Sequence, residues 1–395
     1  MNIGGYVDYL IHLLRCAIKE ENPSNFPEEL DFKRFYELCR AHKLENIVYL
    51  MLKKTNMAGI PEEQAKKLEV AYKQTMMITA TQQHYQERVE KAFEENSIDY
   101  LVLKGRELAK LYPSSDMRQS ADFDMYIGEK NAQNAKDTMI NLGFAVKDYS
   151  EDENHDEYVV EPWVLCELHR VLIQGNYPWK KGCNKIVDNL ILCNGTEHCY
   201  EMSNEDFYVY NLAHAAKHMK FSGIGIKVFL DMQVIYSKYK DCFDYKYLDS
   251  KLQACNLKEF EKNARLLCEY WFEENKDASP LIKKMALYVV SSGWVGTVEQ
   301  MSATEAAEKA GNTNSKPVAK MKKCIDVIMS PYETMVERYP ILRKHKWLTP
   351  FYRIRRGVSA IVKKRDLIKS VTESIDKTDM DAAKRILDFK KSIGL

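Results

Sequence analysis

Two aspartates, Asp122 and Asp124, stand one residue apart in a short apolar run ending at Ile127. Residues i and i+2 of a strand share a face, so both carboxylates would point together, with Phe123 and Met125 facing the other way. Paired carboxylates repel unless a cation sits between them. A divalent metal is the usual cation, and a set of oxygens suits Mg²⁺ or Mn²⁺. Upstream, Leu101-Val102-Leu103-Lys104-Gly105 leaves a strand and enters a short helical piece. A glycine at such a junction lets backbone N–H groups approach phosphate, and Lys104 adds a positive charge in the same place. Downstream, Glu167 and His169 share one face of a run from Val164. Glu167 is a third carboxylate that could complete a metal site or act as a base, and His169 could orient substrate or metal.

The elements that must position these groups follow from periodicity and punctuation. Residues 1–96 read as several helices separated near Pro23, Pro27 and Pro61, with Tyr85, Val89, Ala92 and Phe93 at helical spacing. Strands are expected over 99–104, 122–127, 158–160 and 164–171, the last two joined near Pro162. A helical piece over 107–111 ends at Pro113. A helix striped by Ala132, Ala135, Met139 and Leu142 has Gly143 where a C-terminal cap belongs. From Ser203, a good N-cap with Asp206 three residues on, the pattern turns helical again. The expected fold class is α+β: a small mixed sheet over 97–175, a helical region over 1–96 before it, and a helical domain over 176–395 after it. The polar stretch from Met301 to Lys316 reads as a mobile loop or linker, and a basic, aromatic tail follows from Tyr332 to Arg365.

Taken together, these residues resemble the DNA polymerase β-like nucleotidyltransferase superfamily. More narrowly they resemble bacterial nucleotidyltransferases with the pattern hLKGxxL, then RxxxDhDhh, then h[DE]hH. Here those are Leu103 to Leu108, Arg118 to Tyr126, and Leu165 to His169. The resemblance is close over 98–172. It implies that Asp122, Asp124 and Glu167 are catalytic and hold Mg²⁺, with Mn²⁺ as a substitute. It further implies that Lys104, Gly105 and Arg118 neutralise the phosphates of a nucleoside triphosphate, whose nucleotidyl group passes to a hydroxyl acceptor. Two positions depart from the usual pattern: Arg106 follows Gly105 where the superfamily has Ser or Gly, and Glu167 stands where Asp is more frequent.

His214, Lys217 and His218 lie on one helical face, opposite the apolar stripe of Tyr208, Leu212, Ala215 and Met219. That polar face is expected to line a cleft and touch nucleotide or acceptor. A zinc reading of the His-x₃-His pair lacks the glutamate of a metalloprotease helix. Asp231 reads as a structural charge. With Lys+Arg 58 against Asp+Glu 57, the chain has no overall footprint for nucleic acid or an anionic membrane. The basic, aromatic tail reads as a solvated amphipathic segment with snorkelling arginines, with an RNA or anionic-lipid contact as the alternative. The ten cysteines form no CxxC, no secretory leader opens the chain, and no apolar run spans a bilayer, so a cytoplasmic protein is expected. Two alternatives stand beside the transferase: a degenerate nucleotide-binding or interaction protein that keeps the fold, and a DxD metal-dependent glycosyltransferase. The helical residues 1–96 weigh against the latter, which needs a βαβ unit before its DxD. Acceptor, base preference and oligomeric state are not encoded in these patterns.

Overall fold

The computed structural model describes residues 3–120, 122–148, 155–175, 177–273, 277–293, 304, 335–336, 339, 341–352 and 379–395. Four helices come first: α1 (Ile3–Ile18), α2 (Phe32–Ala41), α3 (Glu45–Lys54) and the long α4 (Glu62–Glu95). The strands are β1 (Tyr100–Val102), β2 (Phe123–Tyr126), β3 (Ala145–Asp148), β4 (His155–Val160), β5 (Val164–His169), β6 (Ile191–Leu192) and β7 (Cys199–Glu201). Between them lie α5 (Arg106–Ala109), α6 (Ala132–Asn141) and α7 (Lys180–Asn184). After them come α8 (Asn204–Phe221), α9 (Ile226–Tyr239), α10 (Tyr245–Ala254), α11 (Lys258–Phe272) and α12 (Pro280–Ser292). The described part of the tail adds α13 (Ile341–Lys344) and α14 (Met380–Ser392). Among the described residues no helix is long and apolar enough to cross a membrane.

The strands form one mixed sheet of seven in the order β3-β4-β5-β2-β1-β7-β6, which makes the fold α+β. At its centre β2 runs parallel to β5 and antiparallel to β1. The period of two decides which face each side chain takes. Val164, Cys166 and Leu168 are buried, while Leu165, Glu167 and His169 between them are half-buried. Phe123, Met125, Cys166 and Leu168 join Val89 and Phe93 of α4 and Ala135 and Met139 of α6 in a small core on one side of the sheet. Fully burying such a side chain contributes roughly 2 kcal/mol. A one-residue slip of β2 would turn Phe123 and Met125 out of that core and put carboxylates into it, so the apolar alternation fixes the register.

A second, larger core joins the first helices to the later ones. Leu10 and Leu14 of α1 and Leu52 of α3 share it with Leu212, Phe229, Leu267 and Met285, from α8, α9, α11 and α12. Phe389 of α14 also packs there. The sheet thus has α4 and α6 on one side and α8 and α9 on the other.

Local signals held where they were strong. Gly143 has φ +89 and ends α6 with Gly143 N–H on Ile140 O and Phe144 N–H on Met139 O, the paired bonds of a glycine C-cap. Ser203 caps α8 by accepting from Asp206 N–H at 3.1 Å. Three strands went unforeseen: β3, β6 and β7. All are short and lie toward the sheet edges, where neither burial nor alternation marks them. Because β7 pairs with β1, the sheet continues past residue 175. The stretch Met301–Lys316, apart from Thr304, lies outside the described residues, as do Arg353, Arg355 and Arg356 of the tail.

Removing the α8 cap should be felt, because the helix carries the polar face of His214 and His218. Ser203→Ala is expected to lower stability by about 1 kcal/mol, read as a drop in the urea midpoint with an unchanged slope.

Candidate active site

Register brings the sheet's polar groups together. Asp124 on β2 lies opposite Glu167 on β5, and Tyr126 lies opposite His169. On the other side of β2, Leu103 N–H donates to Asp124 O at 3.0 Å, which sets Lys104 beside the same aspartate. Lys104 Nζ is 3.3 Å from Asp124 Oδ2. His169 Nε2 is 3.1 Å from Asp124 Oδ1 and 3.4 Å from Glu167 Oε2. Asp124 is buried to 1% exposure. Asp122 stands one residue before β2 begins, and its carboxylate faces the same cavity.

These positions set the charges. Burial works against an ionised Asp124, but Lys104 and His169 outweigh it and pull the carboxyl down to about 2. Asp122 is pushed up to about 6, first by burial and then by the charge on Asp124. Burial opposes the charge of Lys104, yet Asp124, Asp122 and Glu167 together raise its pKa. His169 follows the same rule, with burial overcome by its bonds to Asp124 and Glu167. The attraction between unit charges about 4 Å apart is about 4 kcal/mol at an effective dielectric of about 20, well above the worth of an exposed pair.

One cavity of about 290 Å³ collects every residue singled out from the sequence: Lys104, Gly105, Arg118, Asp122, Asp124, Glu167, His169, His214, Lys217 and His218. Gly105 has φ +70 at the start of α5, a conformation that favours glycine. The helix α8 forms the wall facing the sheet. Lys104 Nζ is 3.3 Å from His214 Nε2, and His218 Nε2 is also 3.3 Å from it. Burial, then Lys104 and His218, keep the His214 imidazole neutral well below the usual histidine range. Burial and Lys217 lower His218 to about 4. Lys217 is lowered by burial and by Lys104. The wall thus presents two neutral imidazoles with Lys217 beside them, facing the ammonium of Lys104.

Among the described residues, the metal-ligating group of three that closes up is Asp124, Glu167 and His169, with ligand atoms all within 4.8 Å of one another. Asp122, expected from the spacing to be the close partner of Asp124, falls outside that trio, and His169 falls within it. Asp124 Oδ2 is buried and makes no hydrogen bond, an oxygen facing Lys104 with capacity to spare. Asp124 and Glu167, with the Asp122 carboxylate lining the same cavity, form a set of oxygen donors of the kind that suits a hard divalent cation.

Arg118 takes a different posture from a free phosphate-binding cation. Its Nε and Nη2 donate to Asp231 at 2.9 and 3.2 Å, and its Nη1 donates to Ser120 Oγ at 2.7 Å and to Gly105 O at 3.4 Å. Arg106 turns away from the cavity and donates to both oxygens of Glu90 on α4, at 2.7 and 2.9 Å. Spacing alone did not reveal Tyr112, Ser120, Tyr210 or Lys227 as neighbours of the site. Burial and then Arg118 bring the Lys227 ammonium down to about 7, and that group donates to the carbonyl of Gln119. The signal for Lys227 and Asp231 was there at the start of α9: two opposite charges four residues apart in the otherwise apolar run IKVFLDM.

Residues 28–273 match the family model described as "Uncharacterised nucleotidyltransferase", over half of the chain, and the chain belongs to that family. No curated protein and no solved structure matches it.

Burial of Asp122, and then the charge of Asp124 beside it, should cost stability without metal. The folded Asp122 carboxyl, held at about 6, lies above its unfolded value of about 3.9, so its ionisation opposes folding as pH rises through that window. Asp122→Asn should therefore raise the melting temperature in chelator at pH 8, and the gain should vanish below about pH 4. Thermal unfolding across that range checks it; the same gain at both ends would show that ionisation of Asp122 is not what costs stability.

Proposed function

We propose that the protein is a metal-dependent nucleotidyltransferase of the DNA polymerase β-like type, passing a nucleoside monophosphate from a nucleoside triphosphate to a hydroxyl on a small molecule, sugar or protein. The observation that carries this reading is the meeting of Asp122, Asp124 and Glu167 with Lys104 and Gly105 in one cavity. Asp122, Asp124 and Glu167 would hold Mg²⁺, or Mn²⁺ in its place, with His169 beside them. When bound, the metal supplies positive charge at the α-phosphate and at the leaving oxygen.

The chain's own groups account for the rest. Lys104 presents an ammonium at the carboxylate edge, and Gly105 presents backbone without a side chain, so a phosphate can come close. His214, Lys217 and His218 form the opposing wall and contact the phosphates or the acceptor. In the transfer, the acceptor oxygen bonds to the α-phosphorus and the bond to the β-phosphate oxygen breaks, releasing pyrophosphate. Glu167 takes the hydroxyl proton or serves as a ligand. The two departures from the family pattern are compatible with this chemistry. Arg106 is tied to Glu90 and leaves the Gly105 turn open, and Glu167 reaches to within 4.8 Å of Asp124.

Incubation with Mg²⁺ and each α-labelled nucleoside triphosphate, with cell extract as a source of acceptor, tests the reading. Label transfer or pyrophosphate release is expected from the wild type and should fall by at least about a thousandfold in Asp122→Ala and in Asp124→Ala. Nucleotide binding with no turnover would replace the transferase by a nucleotide-binding protein. Turnover that survives both substitutions would move the chemistry elsewhere.

A further inference from the structure

We propose that Asp231 of α9 is a positioning residue, which acts through Arg118 to hold the segment entering β2 against the Gly105 turn. The proposal rests on the nucleotidyl-transfer reading above. Arg118 and Asp231 are both buried, at 9% and 6% exposure, and their contact is bidentate. Of the five N–H groups of a guanidinium, four are spent within the protein: two on Asp231, one on Ser120 Oγ and one on Gly105 O. Little of Arg118 is left for a phosphate. What it does instead is join three parts of the chain. One is the turn at Gly105, the second is the segment leading to Asp122, and the third is α9.

Two further contacts reinforce the joint. Tyr112 O–H donates to Asp231 Oδ1 at 2.7 Å, and Lys227 donates to the carbonyl of Gln119. The turns are close enough that a Cβ on Gly105 would lie 3.3 Å from Ser120 Oγ. A buried ion pair is a poor way to gain stability, since apolar replacements of similar volume often do as well or better. A charged clamp at the wall of a cavity is better explained by direction: its fixed fork aims the chain that carries Asp122. Misplacing a reacting group by about 1 Å can cost about a hundredfold in rate.

The test compares wild type, Asp231→Asn, Arg118→Ala and the double variant. Asp231→Asn should lower kcat by about tenfold to a hundredfold with KM for the nucleotide within about twofold. Because Asp231 acts through Arg118, the double variant should be no worse than the poorer single. Hydrogen exchange, which needs no turnover, should quicken at residues 118–126 in Asp231→Asn. Tyr112→Phe, which removes a single hydrogen bond, should show a smaller loss in the same direction and serves if Asp231→Asn does not fold. Unchanged exchange, additive losses, or a raised KM at constant kcat would each overturn the proposal. A wild type that neither turns over nor binds nucleotide, with exchange still quickened by Asp231→Asn, would sink the transferase reading and leave the clamp standing.

Discussion

The structure turns on the carboxylate of Asp124, buried between an ammonium on one oxygen and an imidazole on the other. An ionised group in that position would be costly alone. Lys104 and His169 make it tolerable, and each in turn has its charge favoured by the acids around it. The three groups come from three adjoining strands or strand ends, so the sheet cannot shift its register without separating them. Glu167 is drawn into the same arrangement through His169, and Asp122 is left as the acid with least compensation. This unequal sharing of positive charge makes the surroundings of Asp122 a place where added cationic charge is favourable.

The rest of the chain serves that arrangement in layers. The side of the sheet turned away from the cavity is apolar and sealed by α4 and α6, which leaves the polar residues of β2 and β5 only one way to face. The opposite wall, α8, is itself two-sided. Tyr208, Leu212, Ala215 and Met219 are buried, while His214, Lys217 and His218 look into the cavity. Lys104 bridges the two walls, with Asp124 on one side and His214 on the other. Acid, base and neutral imidazole therefore form a connected line across the site.

Much of this was legible because period-two and helical spacing both report which residues share a face. The opposed faces of Asp124 and Met125, the shared face of Glu167 and His169, and the polar stripe of α8 all follow from spacing alone. The spacing could not tell how far apart the groups would lie, and His169 comes as close to Asp124 and Glu167 as a shared ligand set requires, with Asp122 on the same cavity. The partner of Arg118 lies on a helix far along the chain, and no local pattern links the two. The edge strands β3 and β6, and β7 beside β6, were missed because they are held by pairing to their neighbours more than by any preference of their own residues.

The shared core of α1 and α3 with α8 to α12 has a consequence for synthesis. During translation the sheet and its acids emerge before the helices that complete the core and supply the facing wall. Contacts between such distant parts of a chain close slowly and late. The nascent chain therefore exposes Asp122, Asp124 and Glu167 without the helices that carry His214 and Asp231 until α8 and α9 have also left the ribosome. The order of the helices along the chain delays assembly of the pocket until most of the protein has been made.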